Sequence, residues 1–408
     1  MFSLFLLYID PGTGSLLFSL FAGISAAFVF LFRSLIIKLK TVIQGKKYFN
    51  KNSSMKYVIY CEGSQYWNVF KPVVEQFEKN KTELHYLTSS PDDPFFNIKW
   101  NYVKGEYIGE GNKAYSFLNI LSARIVLMTT PGLDVYQIKR SKNVRHYSHI
   151  LHAVTGGITY RLFGLDYFDS VLLTGDFQAA DIRCLEKLRG IKEKQLVTVG
   201  CTYLDEYSQK ISAIKKENNP AFTVLVSPSW GTSALLKRCG EKLLDPLCDS
   251  AWRIIIRPHP QSLKSELDVL EKLRERYKNN SNLIWDYDRE NINSLFKADI
   301  MISDFSGIIF DYMHLFDRPF IYLNQEIDLR PYDADDIDHE LWHMETFKKT
   351  GVEITENDLP LLKEIINSIN EKQSLSSARQ KEGNDSWQYR GEAGKRVYDF
   401  LTGIVDGN

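Results

Sequence analysis

Two short segments carry residue types suited to holding a diphosphate: Ser303-Asp304-Phe305-Ser306-Gly307 and Arg257-Pro258-His259-Pro260. Serines and a glycine at a helix start offer free backbone N–H groups and a positive dipole end to a phosphate. An arginine and a histidine add donors and positive charge toward the same anion. Each segment follows a short apolar run, Arg253-Ile254-Ile255-Ile256 or Ala298-Asp299-Ile300-Met301-Ile302, that reads as a buried parallel strand. In an open α/β sheet, ligands bind beyond the carboxyl ends of the strands. The pair therefore predicts a nucleotide-diphosphate site, with Arg257, His259, Ser303, Asp304, Ser306 and Gly307 as donor-phosphate-binding candidates. Asp304 has an alternative role as a helix cap, and Ser303 as the holder of the turn. Ser229, in Ser227-Pro228-Ser229-Trp230-Gly231, is a candidate substrate contact facing a cleft or a member of an ordinary turn. Asp311 lies on a helix predicted over residues 308–316. It is a candidate substrate contact or a structural partner for Arg257 or Arg318.

A second polar cluster gathers His146, His149, His152, Thr155, Gly156 and Gly157. His152 follows Ile150-Leu151 and precedes a Thr-Gly-Gly turn. An imidazole there, with an ordinary pKa of about 6.5, suits a general base; the alternative is a histidine bonded to backbone beneath the cleft. On a strand His149 points opposite to His146 and His152, so three metal ligands would not converge, and no metal site is assigned. The sequence requires no cofactor and leaves metal dependence open.

Positioning these groups takes a repeated strand–loop–helix pattern. Strands are expected at 57–60, 85–87, 125–128, 147–151, 171–173 and 196–199, then at 222–226, 254–256, 283–285, 300–302 and 320–323. Helical spacing lies between many of them. Such alternation implies mostly parallel sheets covered by helices. The polar stretch 215–220 ends in proline and marks a boundary. The expected architecture is α/β, with two Rossmann-like domains facing a cleft. Residues 55–215 form an acceptor domain and 216–375 a nucleotide-donor domain. Residues 376–408 include a C-terminal helix that packs back on the first domain. Residues 324–350 are acidic and aromatic with no clear period.

The amino-terminal part reads differently. Residues 15–32 carry no charge, and at about 1.5 Å per residue the run just crosses a bilayer core of roughly 30 Å. No Lys or Arg precedes Arg33, whereas Arg33, Lys38, Lys40, Lys46, Lys47, Lys51 and Lys56 follow with no acid among them. The positive-inside rule then predicts a membrane anchor over 1–40, a linker over 41–54, and a single-pass protein of the inner (cytoplasmic) membrane with its catalytic domain in the cytoplasm. Over the whole chain charge is balanced, with 50 basic and 51 acidic residues, so no global basic field points to nucleic acid. Five cysteines lie far apart without a C-x-x-C pair, which argues against a disulfide framework and a zinc site.

The chain resembles the CDP-glycerol glycerophosphotransferase family, which includes teichoic acid polymerases and primases. The matching pieces run in order: the His152 segment, Phe168-Asp169-Ser170-Val171, Thr174-Gly175, Ser227-Pro228-Ser229-Trp230, Arg257-Pro258-His259-Pro260, and Ser303-Asp304-Phe305-Ser306-Gly307 through Phe310-Asp311-Tyr312. The resemblance implies a glycosyltransferase-B-like fold. It also implies transfer of glycerol phosphate from CDP-glycerol, or a related CDP-polyol, to an acceptor hydroxyl, with CMP released. Membrane association suits a family that builds polymers on lipid-linked acceptors. By the same resemblance His152 is the base, Arg257 and His259 clamp the pyrophosphate, and Ser303, Ser306 and Gly307 form the phosphate-binding helix start. The chain departs from the family in two places. Leu151-His152-Ala153-Val154 stands where many members have Trp-His-Gly-Thr, which keeps His149 as an alternative base. Gly307 stands where many have a second serine. Two other functions remain as alternatives: a sugar-nucleotide glycosyltransferase or UDP-N-acetylglucosamine 2-epimerase-like enzyme, and a non-catalytic nucleotide-binding membrane scaffold.

Overall fold

The computed structural model describes residues 55–214, 221–288, 290–325, 327–370 and 375–407. Two all-parallel sheets organise them. The first holds β1 (Met55–Cys61), β2 (Leu84–Thr88), β3 (Val103–Tyr107), β4 (Ala123–Met128), β5 (Val144–Ile150), β6 (Ser170–Leu173) and β7 (Gln195–Thr198), in the order β3-β2-β1-β4-β5-β6-β7. The second holds β8 (Thr223–Val226), β9 (Arg253–Ile256), β10 (Leu283–Trp285), β11 (Ile300–Ser303), β12 (Phe320–Leu323) and β13 (Val352–Ile354), in the order β10-β9-β8-β11-β12-β13. Each sheet thus winds outward in both directions from its first strand. The strand order reverses at the β1/β4 and β8/β11 seams, where such sheets open a crevice for ligands.

The central strands read as unbroken apolar runs because helices cover both faces and leave no side to water. β8 and β11 are buried at every position, and Ile254, Ile255 and Ile256 of β9 are buried too. The edge strand β3 exposes most of its length. One face of the second sheet packs Val224, Val226, Ile254 and Ile256 on the helix Leu235–Cys248, through Leu235, Leu243 and Leu247. The other packs Leu225, Ile255 and Met301 on the helix Ile308–Phe316, through Ile309, Phe310 and Met313.

After β12 the chain crosses to the first sheet. Tyr332 forms an antiparallel bridge with Arg161, and the Asp333 N–H donates to the Tyr160 carbonyl at 2.9 Å. Arg189 fastens this strap, pairing with Asp166 at 2.7 Å and with Asp333 and Asp336 at 2.6 Å each. A second crossing brings the Gln388 N–H to the Thr174 carbonyl at 3.1 Å. It runs so close that a Cβ on Gly200 (φ +93°) would stand 2.5 Å from the Gln388 carbonyl oxygen. The helix Ala393–Asp406 then buries Val397, Leu401 and Val405 against Tyr57, Phe70 and Phe77 of the first half.

The expectation of a single-pass inner-membrane protein is corrected. No helix among the described residues is long and apolar enough to cross a membrane. The longest span 14 residues, or about 21 Å, and each carries one apolar stripe used against a sheet. Residues 15–32, on which that expectation rested, lie outside the described residues, as does the expected boundary at 215–220.

Candidate active site

The β8/β11 seam places Ser227-Pro228-Ser229-Trp230 beside Ser303-Asp304-Phe305-Ser306. Asp304 is buried and joins the two loops. It accepts from the Ser229 N–H and hydroxyl at 2.9 Å each, and from the Leu235 N–H at 3.0 Å, at the start of the helix Leu235–Cys248. Burial pushes its carboxyl pKa up, while these N–H donors and that of Ser306 pull it down. Ser303 turns its hydroxyl to the Ser227 carbonyl at 2.6 Å. Asp304 therefore holds Ser229, and Ser303 holds the backbone of Ser227. The expectations that Ser229 faces the cleft and that Asp304 and Ser303 present themselves to phosphate are corrected on that ground. The half-buried Ser306 and Gly307 remain at the start of the helix Ile308–Phe316, where the Ile309 and Phe310 N–H groups already donate to the Ser306 and Gly307 carbonyls at 3.2 and 3.0 Å.

From β9, the Arg257 guanidinium meets the Asp286 carboxylate at 2.6 Å and the Asp288 carbonyl at 2.6 Å. Its fork is thus fixed by the loop after β10, with further N–H groups left over. His259 accepts the Gln261 N–H on Nδ1 at 3.0 Å, and burial lowers its pKa. The neutral ring then carries its proton on Nε2, which is free to donate. The Trp230 ring, 42% exposed, stands 6.2 Å from that imidazole.

Asp311 does not pair with Arg257 or Arg318, contrary to one expectation. Arg318 is held by the Phe296 and Ala298 carbonyls. Asp311 instead accepts the Tyr203 hydroxyl at 2.7 Å, from a helix of the first half. Burial raises its pKa to about 7, against the pull of hydrogen bonds from Tyr203 and Asn291.

His152 lies just beyond β5, half-buried between the rings of Tyr66 (5.1 Å) and Tyr160 (6.0 Å). Its Nδ1 is 2.9 Å from Thr129 Oγ1 and 3.3 Å from the Tyr160 hydroxyl. The single Thr129 proton goes to the Ile150 carbonyl at 2.9 Å, so Thr129 accepts from His152 Nδ1–H. That leaves the Nε2 lone pair open. Burial lowers the His152 pKa to about 4, so the ring is neutral near pH 7 and can take a proton.

His149 cannot share this role. It is fully buried, its ring is wedged against Tyr160 and Phe168, and Nε2 is 3.1 Å from the Tyr160 hydroxyl. The alternation expected of a strand also fails here. β5 ends at Ile150, so His149 and His152 converge on one hydroxyl rather than pointing apart. His146 turns to Ser170 at 2.9 Å. Among the described residues no group of three or more His, Cys, Asp or Glu could hold a metal ion.

The two clusters meet across the halves. A Cβ on Gly307 would stand 3.1 Å from the Thr155 methyl, three residues past His152. Gln178 holds that loop, donating to the Thr155 carbonyl at 2.7 Å while its Oε1 accepts the Thr174 N–H at 2.8 Å. Thr129, Tyr66, Tyr160 and Asp286 were not foreseen. Thr129-Thr130-Pro131-Gly132 carried a usable signal, a polar turn directly after an apolar run; Tyr160 and Gln178 carried none.

A family model described as CDP-glycerol:poly(glycerophosphate) glycerophosphotransferase matches residues 183–403, more than half of the chain. The chain belongs to that family. It is accordingly an enzyme of the CDP-glycerol glycerophosphotransferase type. The matched region contains Arg257, His259, the Ser303–Gly307 loop and Asp311, and begins after His152. No curated protein sequence matches the chain. Among solved structures, the wall teichoic acid polymerase TagF aligns at 14% identity with a TM-score of 0.58, over 92% of this chain and 98% of that one. The UDP-GlcNAc 2-epimerase of Methanocaldococcus jannaschii, solved with UDP-GlcNAc and UDP, aligns at 15% identity with a TM-score of 0.57, over 85% of this chain and 99% of that one. At such identities both give the glycosyltransferase-B-like fold alone, and the family model separates the chemistries.

Proposed function

We propose that this enzyme transfers glycerol phosphate from CDP-glycerol to an acceptor hydroxyl, releasing CMP, in assembly of a teichoic-acid-type polymer. The half containing residues 55–215 takes the acceptor, and that containing 216–375 takes the donor. The observation that supports the reading is the approach of Thr155, three residues past His152, to Gly307 at the helix start.

In this reading the acceptor oxygen attacks the phosphorus that bears glycerol. A new P–O bond forms as the bond to the CMP phosphate oxygen breaks. The acceptor proton passes to His152 Nε2, and the bonding pair leaves with CMP. His259 Nε2–H, Arg257 and the N–H groups at the helix start meet the charge that builds on the departing phosphate. Positioning and charge stabilisation supply most of the rate in phosphoryl transfer. Asp304 and Ser303 shape the loop, and Asp286 aims Arg257.

The test is CMP release by the full chain from CDP-glycerol, with and without a glycerol-phosphate oligomer as acceptor. Acceptor-dependent CMP release that drops roughly 10²- to 10⁴-fold in His152→Ala is the expected result. UDP release from UDP-GlcNAc with no CMP from CDP-glycerol would overturn it and make the protein a sugar-nucleotide enzyme. Nucleotide binding without turnover of either donor would make it a scaffold.

A further inference from the structure

Resting on the transferase reading, we propose that Gln325 recognises the hydroxyl groups of the polyol being transferred, and so sets which CDP-polyol is used. Gln325 is only 8% exposed, yet both Oε1 and Nε2 lack a hydrogen-bond partner. A buried polar group left unpaired is destabilising, and here a donor and an acceptor are both unpaired on one amide.

Its place in the fold gives the orphaned amide a purpose. The preceding residue is fixed: the Asn324 N–H donates to the Ile354 carbonyl at 3.0 Å, and Asn324 Nδ2 donates to Glu353 at 2.7 Å. β12 pairs with β11 with Tyr322 opposite Ser303, so the chain leaves β12 at the edge where β11 gives way to the Ser306-Gly307 helix start. From there the strap crosses to the first half and hydrogen-bonds to the Tyr160 carbonyl, while the Tyr160 hydroxyl lies 3.3 Å from His152 Nδ1. Gln325 thus opens the segment that leaves the sheet edge beside the β11 loop and reaches the backbone of Tyr160, whose hydroxyl neighbours the base. The transferred group must lie between those two features.

The chemistry selects the class of ligand. Phosphate oxygens only accept, and would leave Oε1 unpaired. A hydroxyl both donates and accepts, so two neighbouring hydroxyls satisfy the two ends of the amide. The free hydroxyls of glycerol phosphate have that pattern. A site built to bond a hydroxyl strongly rejects an analogue lacking it, because the buried partner is left unpaired.

The experiment is titration calorimetry of CDP-glycerol and CDP on the full chain and on Gln325→Leu, with kcat and KM for CDP-glycerol. The expected result is a loss of about tenfold or more in CDP-glycerol affinity, a matching rise in KM, and CDP affinity unchanged within about twofold. Gln325→Leu should melt at or above the wild-type temperature, because it removes two unpaired buried groups. Equal losses for CDP and CDP-glycerol would overturn the proposal in favour of a base or phosphate contact, and so would unchanged affinity for both. Wild-type protein that binds no CDP-glycerol would instead overturn the transferase reading itself, and this inference with it.

Discussion

Nδ1 of His152 lies 2.9 Å from Oγ1 of Thr129, a hydroxyl already committed to the Ile150 carbonyl. One threonine therefore selects the imidazole tautomer and keeps Nε2 free. Thr129→Val removes the acceptor and leaves Nδ1–H to a longer contact with Tyr160. We expect kcat to fall roughly tenfold with KM little changed, less than the loss in His152→Ala. Steady-state kinetics on both variants checks this, and equal KM and kcat effects in Thr129→Val would contradict it.

Proton transfer to His152 needs the neutral ring. With its pKa lowered to about 4 by burial, kcat/KM should climb as pH rises through about 4 and stay level toward neutrality. A limb centred near 6.5 would mean that the ring titrates like an exposed histidine. A pH–rate profile on the full chain measures it.

Stability should follow a related pattern. Burial lowers the pKa of His314 to about 3 and of His343 to about 4, while an unfolded histidine titrates near 6.5. Between these values the two histidines bind more protons in the unfolded chain than in the native one, so their contribution to stability falls as pH drops from about 6.5 toward 4 and is fully present above 6.5, while Asp311, raised to about 7, works in the opposite sense over that range. Urea midpoints across that range test the sign.

Asp333 is almost fully buried, accepts the Phe163 and Gly164 N–H groups at 2.6 and 3.2 Å, and pairs with Arg189. Removing it leaves the Phe163 and Gly164 N–H groups without their acceptor, while Arg189 keeps Asp166 and Asp336. Asp333→Ala should destabilise by about 1–3 kcal/mol in denaturant unfolding. A change below about 1 kcal/mol would show that the strap contributes little to the joining of the halves.

Gly307→Ser restores the residue type common in the family but sets a Cβ 3.1 Å from the Thr155 methyl. We expect kcat/KM to drop severalfold, and Thr155→Ser, which removes that methyl, to recover most of it. A double-mutant cycle should give a coupling of roughly 0.5–3 kcal/mol; additive effects would mean the two residues do not press on each other.

Much of this architecture was legible because buried parallel strands announce themselves. Ile254-Ile255-Ile256 and Ile300-Met301-Ile302 are apolar on both faces, and the helix over 308–316 was placed at its observed bounds. The edge strands β3 and β13 were missed because Val103–Tyr107 is mostly exposed and Val352–Ile354 is three residues long. Residues 324–350 showed no period because their first part is a strap whose anchors, Asp333 and Asp336, are charges paired with a distant arginine. At the site, residue types pointed to the right loops but not to their orientation. Ser229, Ser303 and Asp304 look alike as ligands in sequence, and only the structure shows Ser229 bonded to Asp304 and Ser303 bonded to the Ser227 carbonyl. The pairing of Asp311 with Tyr203 joins residues 108 positions apart, beyond any local signal.

The packing of Val397, Leu401 and Val405 into the first core has a consequence for biosynthesis. While the ribosome is still reading the middle of the message, the amino-terminal sheet has emerged but lacks the helix that covers Tyr57 and Phe77. Burying those rings waits for the codons of residues 393–406. The nascent first half therefore keeps an apolar face open until they are read, and a truncated chain ending after β13 would display that face permanently to chaperones and proteases.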